Sequence, residues 1–161
     1  MTDKDAAQKL IASNPSARAD YHWVEVVEAG LMLSGTEIKS IRQSAPGLKE
    51  CYVEVKDRKG GAREAWILNL HIGPYSHGNI WNHEPRRPRK LLLHRRQIDR
   101  LHGALTREGL TVIPTKMYFV KGRVKVEVAL GQGKKKHDKR QDLKKKSQQR
   151  EVDRAVRRNR K

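Results

Sequence analysis

The alternation of apolar and polar residues predicts short β-strands along most of the first 130 residues. β-branched and aromatic residues, which favour strands, are concentrated in residues 21–28, 31–33, 52–55, 65–72, 111–120 and 123–130. The clearest alternation places Trp66, Leu68, Leu70 and Ile72 on one face. Residues 111–120 and 123–130 are joined at Lys121-Gly122, a pairing that predicts a hairpin.

Two segments follow helical spacing instead. Ile38 and Ile41 are three residues apart, with Thr36 placed to cap and Glu37 in the first turn, which predicts one or two helical turns. Residues 90–105 follow Pro88 and predict an amphipathic helix, whose apolar residues are Leu91, Ile98, Leu101 and Leu105. The dipeptide Ala29-Gly30 is expected to end the strand predicted over residues 21–28.

We therefore expect a mainly β fold: an oligonucleotide-binding-like antiparallel barrel with flanking helices and a basic C-terminal tail.

Composition adds a strong positive charge to this picture. The chain of 161 residues has 36 Lys and Arg against 18 Asp and Glu, a net charge of +18. Such an excess favours a polyanionic partner. The single cysteine, Cys51, excludes an internal disulfide and a multi-cysteine zinc site. No apolar run approaches the roughly 20 residues of a membrane span, and residues 1–14 lack a signal-peptide core, so we expect a cytoplasmic protein without membrane contact.

The charge is unevenly placed. Residues 132–161 hold 14 Lys and Arg against 4 acids, a net charge of +10, which leaves +8 for residues 1–131. Beyond alanine, the aliphatic residues of this tail are Leu143, Val152 and Val156, too few to pack a face. We expect a flexible N-terminus over residues 1–13, an RNA-binding barrel over residues 14–131 and a basic tail over residues 132–161 that is disordered when free.

Two stretches of the body carry candidate RNA contacts. Residues 86–90 hold four cations around a proline, and arginine suits forked phosphate contacts and stacking on bases. A basic linker entering a helix would have the same composition. In residues 28–42, two glycines allow close backbone approach, and Lys39 and Arg42 would share one side of a helical turn. The acids Glu28 and Glu37 would pair with arginines by default, or accept hydrogen bonds from bases.

Aromatic and titratable residues indicate which kinds of functional site the sequence favours. Tyr75 and Trp81 are candidates for base stacking, whereas Trp23 and Trp66 lie inside strand patterns and fit a core. The seven histidines show no HExxH spacing, and the chain has no Walker loop, GxSxG or dinucleotide fingerprint. We expect no metal, no cofactor and no enzymatic activity.

Six strings in order resemble the bacterial SsrA-binding protein family, also called small protein B. They are EAGL (28–31), GTEIKS (35–40), HIGPY (71–75), NHEPRR (82–87), RKLLLH (89–94) and GKKKHDKR (133–140). The resemblance runs from about residue 14 to the C-terminus. The loop containing Pro46 and Cys51 departs from the family pattern.

The resemblance implies a monomeric factor that binds the transfer-RNA-like domain of transfer-messenger RNA through a barrel. It further implies delivery of that RNA to stalled 70S ribosomes for trans-translation, with the basic tail in the empty message channel beside ribosomal RNA of the decoding site. A structural ribosomal protein or a non-specific RNA chaperone is the alternative on composition.

The resemblance and the basic stretches together select two sets of site residues. The RNA-binding set is Glu28, Gly35, Glu37, Lys39, Arg42, Tyr75, Asn82, His83, Arg86, Arg87, Arg89 and Lys90. The ribosome-binding set of the tail is Lys134, Lys135, Lys136, His137, Asp138, Lys139, Arg140, Lys144, Lys145 and Lys146.

Overall fold

The computed structural model of the chain describes residues 8–158, which form seven strands and four helices. The strands are β1 (Lys9–Ser13), β2 (Tyr21–Leu31), β3 (Tyr52–Asp57), β4 (Arg63–Leu68), β5 (Arg89–Leu92), β6 (Thr111–Val120) and β7 (Arg123–Gly133). The helices are α1 (Pro15–Asp20), α2 (Gly35–Gln43), α3 (Arg95–Thr106) and α4 (Lys136–Arg158). Residues 1–7 of the predicted N-terminal segment and residues 159–161 of the predicted tail lie outside the described part. No helix within that part is long and apolar enough to cross a membrane.

All strands belong to one antiparallel sheet whose pairings form a circuit. The order is β1-β6-β3-β4-β5-β2-β7. Because β7 also pairs with β6, the six strands from β6 to β7 form a closed circuit, and β1 pairs with β6 outside it. The predicted β6–β7 hairpin is confirmed. Its turn has positive φ angles at Lys121 (48°) and Gly122 (75°), as a two-residue turn matched to the strand twist requires.

The core lies on the inner face of this sheet and under α3. The predicted inward side of β7 is confirmed, since Val124, Val126 and Val128 are buried while Lys125 is only partly covered. Leu101 of α3 is completely buried in the same cluster. Helices α1 and α3 thus flank a mainly antiparallel β structure.

The strand predicted for residues 65–72 is shorter than its alternation indicated. It ends at Leu68 because Asn69 adopts a positive φ of 58°, which interrupts the ladder. Within β4 the fully buried side chains are Ala65 and Ile67, not Trp66. Leu70 is buried all the same, because the break at Asn69 changes the phase of the alternation.

The helix predicted from residue 90 begins five residues later. Arg89–Leu92 is strand β5, which pairs with β4 on one side and β2 on the other, so Leu91 is a buried strand residue. Helix α3 begins at Arg95 after a capping box, in which the His94 backbone N donates to Gln97 Oε1 over 3.0 Å. Pro88 therefore precedes a strand rather than a helix.

Two further expectations about strands are corrected. Residues 9–13, expected to be flexible, form β1 and pair with β6. Strand β2 continues through Ala29-Gly30, which was expected to break it. Gly30 allows close approach instead, since a Cβ there would lie 3.1 Å from Leu92 Cβ on the neighbouring strand.

The divergent loop around Cys51 is well packed. Gly47 pairs with His71 in an isolated bridge, and the single proton of Cys51 Sγ is shared between Gly47 O (3.2 Å) and Asn69 O (3.4 Å). Burial raises the pKa of the Cys51 thiol to about 12, so it is protonated at neutral pH.

Asn14 ties this loop to the sheet and provides a test of the fold. Its side chain is 8% exposed, and Nδ2 donates to Leu48 O and Pro114 O, each over 3.2 Å.

The substitution Asn14→Ala removes both bonds, so we expect the free energy of unfolding to fall by about 1–3 kcal/mol in urea titration. The matched control Ser13→Ala, at an exposed neighbour, should change it by less than about 0.5 kcal/mol. An Asn14→Ala value equal to the control would contradict this role.

Candidate nucleic-acid interface

A buried carboxylate lies at the centre of the predicted RNA-binding stretches. Glu37 is in the first turn of α2, where Ser34 rather than Thr36 is the N-cap, and the Ser34 backbone N donates to Glu37 Oε2 over 2.7 Å. Arg87 donates through Nε to Oε1 (2.8 Å) and through Nη2 to Oε2 (2.6 Å). Arg89 Nε donates to Oε1 over 2.7 Å. The side chains of Glu37 and Arg89 have no exposed surface.

The electrostatics of this cluster keep it charged. Burial alone raises the pKa of the Glu37 carboxyl, but the hydrogen bonds from Arg87, Ser34 and Arg89 outweigh that effect and lower it to about 2. Burial lowers the pKa of the Arg89 guanidinium, while Glu37 acts in the opposite direction. The default pairing of Glu37 with arginines is therefore the one that the structure contains.

Arg89 uses its other donors on the backbone. Nη1 donates to Leu70 O and to Arg87 O (3.1 Å), and Nη2 donates to Pro85 O over 3.1 Å. These bonds hold residues 84–88, which we call the basic segment, against the start of β5. The expectation that Glu37 and Arg89 contact RNA directly is corrected, because neither side chain reaches the surface.

Asn82 and His83 brace the adjoining loop. Asn82 Oδ1 accepts from Tyr75 N (3.0 Å) and Nδ2 donates to Tyr75 O (2.8 Å). His83 Nε2 lies 3.1 Å from Ile72 O and 3.0 Å from Gly73 O, so it carries the proton, and Nδ1 accepts from Thr36 Oγ1 over 3.0 Å. Both side chains hold the loop against the start of α2. Within residues 8–158, no three His, Cys, Asp or Glu side chains are grouped to hold a metal ion.

Three cations and one partly exposed aromatic ring form what we call the α2 surface. The cations are Lys39, Arg86 and the exposed third of Arg87, and the ring is that of Tyr75. The Lys39 ammonium lies 5.5 Å from the Tyr75 ring centroid, within cation–π range. Arg86 is largely exposed and lies 3.9 Å from Glu50. Gly35, at the start of α2, has open space where a Cβ would stand. Arg42, also exposed, lies farther along the helix against Phe119, 6.0 Å from its ring centroid.

Glu28 and Lys90 lie in a separate cleft of about 760 Å³, bounded by β2, β4, β5 and the start of α3. Glu28 Oε1 lies 3.3 Å from Lys125 Nζ, and its Oε2 accepts the Tyr118 hydroxyl. Lys90 Nζ lies 2.7 Å from Glu64 Oε1 and lowers the pKa of that carboxyl. Sequence reasoning missed Lys125, which reaches this cleft because β7 pairs Lys125 with Gly30. Its position on the polar side of an alternating strand was the available signal.

Most of the predicted tail residues lie on α4, whose first turns dock on α1, whereas Lys134 and Lys135 precede the helix. Lys139 Nζ lies 2.7 Å from Asp20 Oδ1, and Lys134 Nζ lies 2.7 Å from Asp142 Oδ2. Leu143 lines a small hollow with Pro15. Asp138 is half-buried, and the exposed members of the predicted set are Lys135, Lys136, His137, Arg140, Lys144, Lys145 and Lys146. No residue of α4 is buried over its described length, and disorder of the free tail stays a prediction.

Antiparallel strands, flanking helices and exposed cations in three places define a basic β protein of the kind that binds polyanions. Comparison with known proteins assigns the chain to one family within this class. The family model described as SmpB protein matches residues 11–158, and the chain belongs to the SmpB family. The resemblance seen in the six sequence strings is thereby confirmed.

Individual relatives agree over nearly the whole chain. An SsrA-binding protein of Fervidobacterium nodosum is 50% identical over 153 residues, which cover 94% of this chain and 99% of the relative. One of Nostoc punctiforme is 49% identical over 157 residues, covering 97% and 98%. A chain of the solved structure "tmRNA-SmpB: a journey to the center of the bacterial ribosome" aligns with a TM-score of 0.62 and 40% identity, covering 78% of this chain and 85% of that one.

The buried cluster predicts how stability depends on acid. The pKa of Glu37 is lowered from 4.5 to about 2 in the folded protein. Its contribution, about 3 kcal/mol, is therefore complete above about pH 4.5 and is lost as the pH falls towards 2. We expect Glu37→Gln to lower the free energy of unfolding at pH 7 and to flatten its fall between pH 5 and pH 2, as measured by urea titration. Exposed Glu84→Gln is the control. An unchanged slope in Glu37→Gln would show that other carboxyls carry the acid dependence.

The docked base of the tail can be tested separately. Asp20→Asn removes the ion pair to Lys139 but leaves the backbone bond from Lys134 N to Asp20 O (2.8 Å) in place. We expect amide hydrogen exchange in the first turns of α4 to rise about two- to fivefold, the range for a partly exposed pair. The control is Asp153→Asn, farther along α4. Equal exchange in the two variants would mean that the ion pair does not hold the helix.

Proposed function

We propose that this protein binds transfer-messenger RNA and delivers it to stalled ribosomes for trans-translation, with its tail in the empty message channel. The observation that carries the proposal is 49–50% identity to SsrA-binding proteins over nearly the full length of both chains. The alignment with a chain of the tmRNA-SmpB ribosome structure supports both partners, the RNA and the ribosome. In this role the protein acts as a binding factor, without catalysis and as a monomer, in the cytoplasm.

The body would be an oligonucleotide-binding-type barrel spanning residues 14–131. The closed circuit of strand pairings supports this fold, and β1 would extend it at the edge of β6. Residues 132–161 would form the separate ribosome-binding tail. Its base continues β7 as far as Gly133, so the functional division would fall after the strand.

The two surfaces of the body would have different parts in RNA binding. Lys39, Arg42, Arg86 and Tyr75 would contact RNA directly, since their side chains are exposed or half-exposed on or beside α2. Arg87 would do so through the third of its side chain that is exposed. The cleft of Glu28, Lys90 and Lys125 would form a second contact. Glu37 and Arg89 would hold the contacting residues in place without touching RNA.

The tail residues would meet ribosomal RNA near the decoding site. The first turns of α4 are held by the ion pairs Lys139–Asp20 and Asp142–Lys134, whereas Lys144, Lys145 and Lys146 are exposed. A helix with this density of cations would be stabilised by a polyanionic channel, since counterions are released on binding.

Removing the tail tests this division. We expect deletion of residues 136–161 to leave affinity for transfer-messenger RNA within about threefold, because the body cations remain, while peptide tagging on stalled ribosomes is abolished. Filter binding and an in vitro tagging assay measure the two effects. Equal loss of binding and tagging would contradict the two-part model.

The full chain should also hold its RNA against excess bulk transfer RNA at physiological salt, whereas binding by a non-specific chaperone would collapse.

A further inference from the structure

The loop between β4 and β5 exposes two neighbouring apolar side chains. Ile80 is 87% exposed and Trp81 is 83% exposed, in a single 3₁₀ turn over Asn79–Trp81. Neither belongs to the hydrophobic core cluster. Trp66 and Trp23, by contrast, are half-covered, and Trp23 Nε1 donates to Ala17 O over 3.0 Å. A fully presented tryptophan contributes nothing to packing of its own chain and is suited to a partner.

The loop that carries this pair is held in one conformation. Gly78 N donates to Tyr75 O (2.9 Å) and Trp81 N donates to Gly78 O (3.1 Å), while Asn82 bonds both backbone groups of Tyr75. A Cβ at Gly78 would lie 2.7 Å from the Asn82 amide, so a larger residue there would displace the amide that bonds Tyr75. A braced loop loses little conformational entropy on binding, which favours a role for its tip as an anchor.

The surroundings of the pair favour RNA over protein as the occupant. Residues 71–90 contain four Lys and Arg against one acid. The loop is bonded through Asn82 to Tyr75, whose ring lies 5.5 Å from the Lys39 ammonium and 5.4 Å from the His77 ring. The anchor is therefore continuous with the α2 surface. An aromatic ring beside phosphate-binding cations is the arrangement that accepts unpaired bases.

We propose that Trp81, flanked by Ile80, receives an unpaired nucleobase of transfer-messenger RNA by stacking. The inference rests on the proposed function and adds a base contact to it. Cations of the α2 surface hold the phosphates on one side, and the indole ring covers the face of the base.

Affinity of variants tests this contact. We expect Trp81→Ala to weaken binding to the transfer-RNA-like domain about 5- to 150-fold, the equivalent of one stacked base, and Trp81→Phe to retain most of the affinity. Val24→Ala, at a residue 60% exposed on β2, is the matched control and should bind as the parent does. Urea unfolding of each variant confirms that the fold is kept, since Trp81 lies outside the core.

Fluorescence provides a second readout. In a chain carrying Trp23→Phe and Trp66→Phe, Trp81 is the one remaining tryptophan. We expect its emission to be quenched by the RNA and shielded from acrylamide. Unchanged affinity in Trp81→Ala with no quenching would overturn the inference, as would a defect in binding ribosomes alone. Failure of the parent chain to hold transfer-messenger RNA in competition would instead refute the proposed function, so the two failures are distinguishable.

Discussion

The structure around the predicted RNA-binding stretches depends on one buried carboxylate. Glu37 accepts hydrogen bonds from Ser34, Arg87 and Arg89, and these partners come from the cap of α2, the basic segment and β5. Burying the charges of Glu37 and Arg89 is costly unless each is paired, and removing one leaves the other without its partner in the interior. The exposed cations of the α2 surface are carried by these same elements. Their geometry is therefore set by an ion cluster in which the side chains of Glu37 and Arg89 have no exposed surface.

The four cations of the basic motif over residues 86–90 include both buried and exposed side chains, although the sequence alone does not distinguish them. Arg89 and Lys90 are adjacent, yet β5 alternates, so Arg89 points into the core with Leu91 while Lys90 reaches the cleft. Sequence predicts the charge of such a segment but not its phase. The phase is decided by Glu37, a partner about 50 residues away, whose own burial follows from capping α2. The predicted pairing with arginines is correct for Glu37, whereas Glu28 pairs with Lys125 and accepts from the Tyr118 hydroxyl instead.

The sequence predicted the fold best where local residues determine the backbone conformation, as in a tight turn or an alternating strand. The β6–β7 hairpin and the inward valines of β7 follow from alternation and a Lys-Gly turn, and both are confirmed. The end of β4 at Asn69 and the start of α3 at Arg95 were missed, because a positive φ and a histidine cap have weak signals in sequence. Strand β1 was missed because its stability comes from pairing with β6 rather than from its own composition.

The division of charge between body and tail creates a repulsion that Asp20 offsets where the two parts meet. Net charges of +8 and +10 on two parts of one chain repel each other, so an unaided tail would be driven from the body. Asp20 of the body offsets this repulsion at the base of α4, where its Oδ1 lies 2.7 Å from Lys139 Nζ and its backbone oxygen accepts from Lys134 N. Beyond that base, the helix has no buried residue along its described length. The direction of the tail is thus set by its first turns, and the described turns beyond them are stabilised mainly by bonds within the helix.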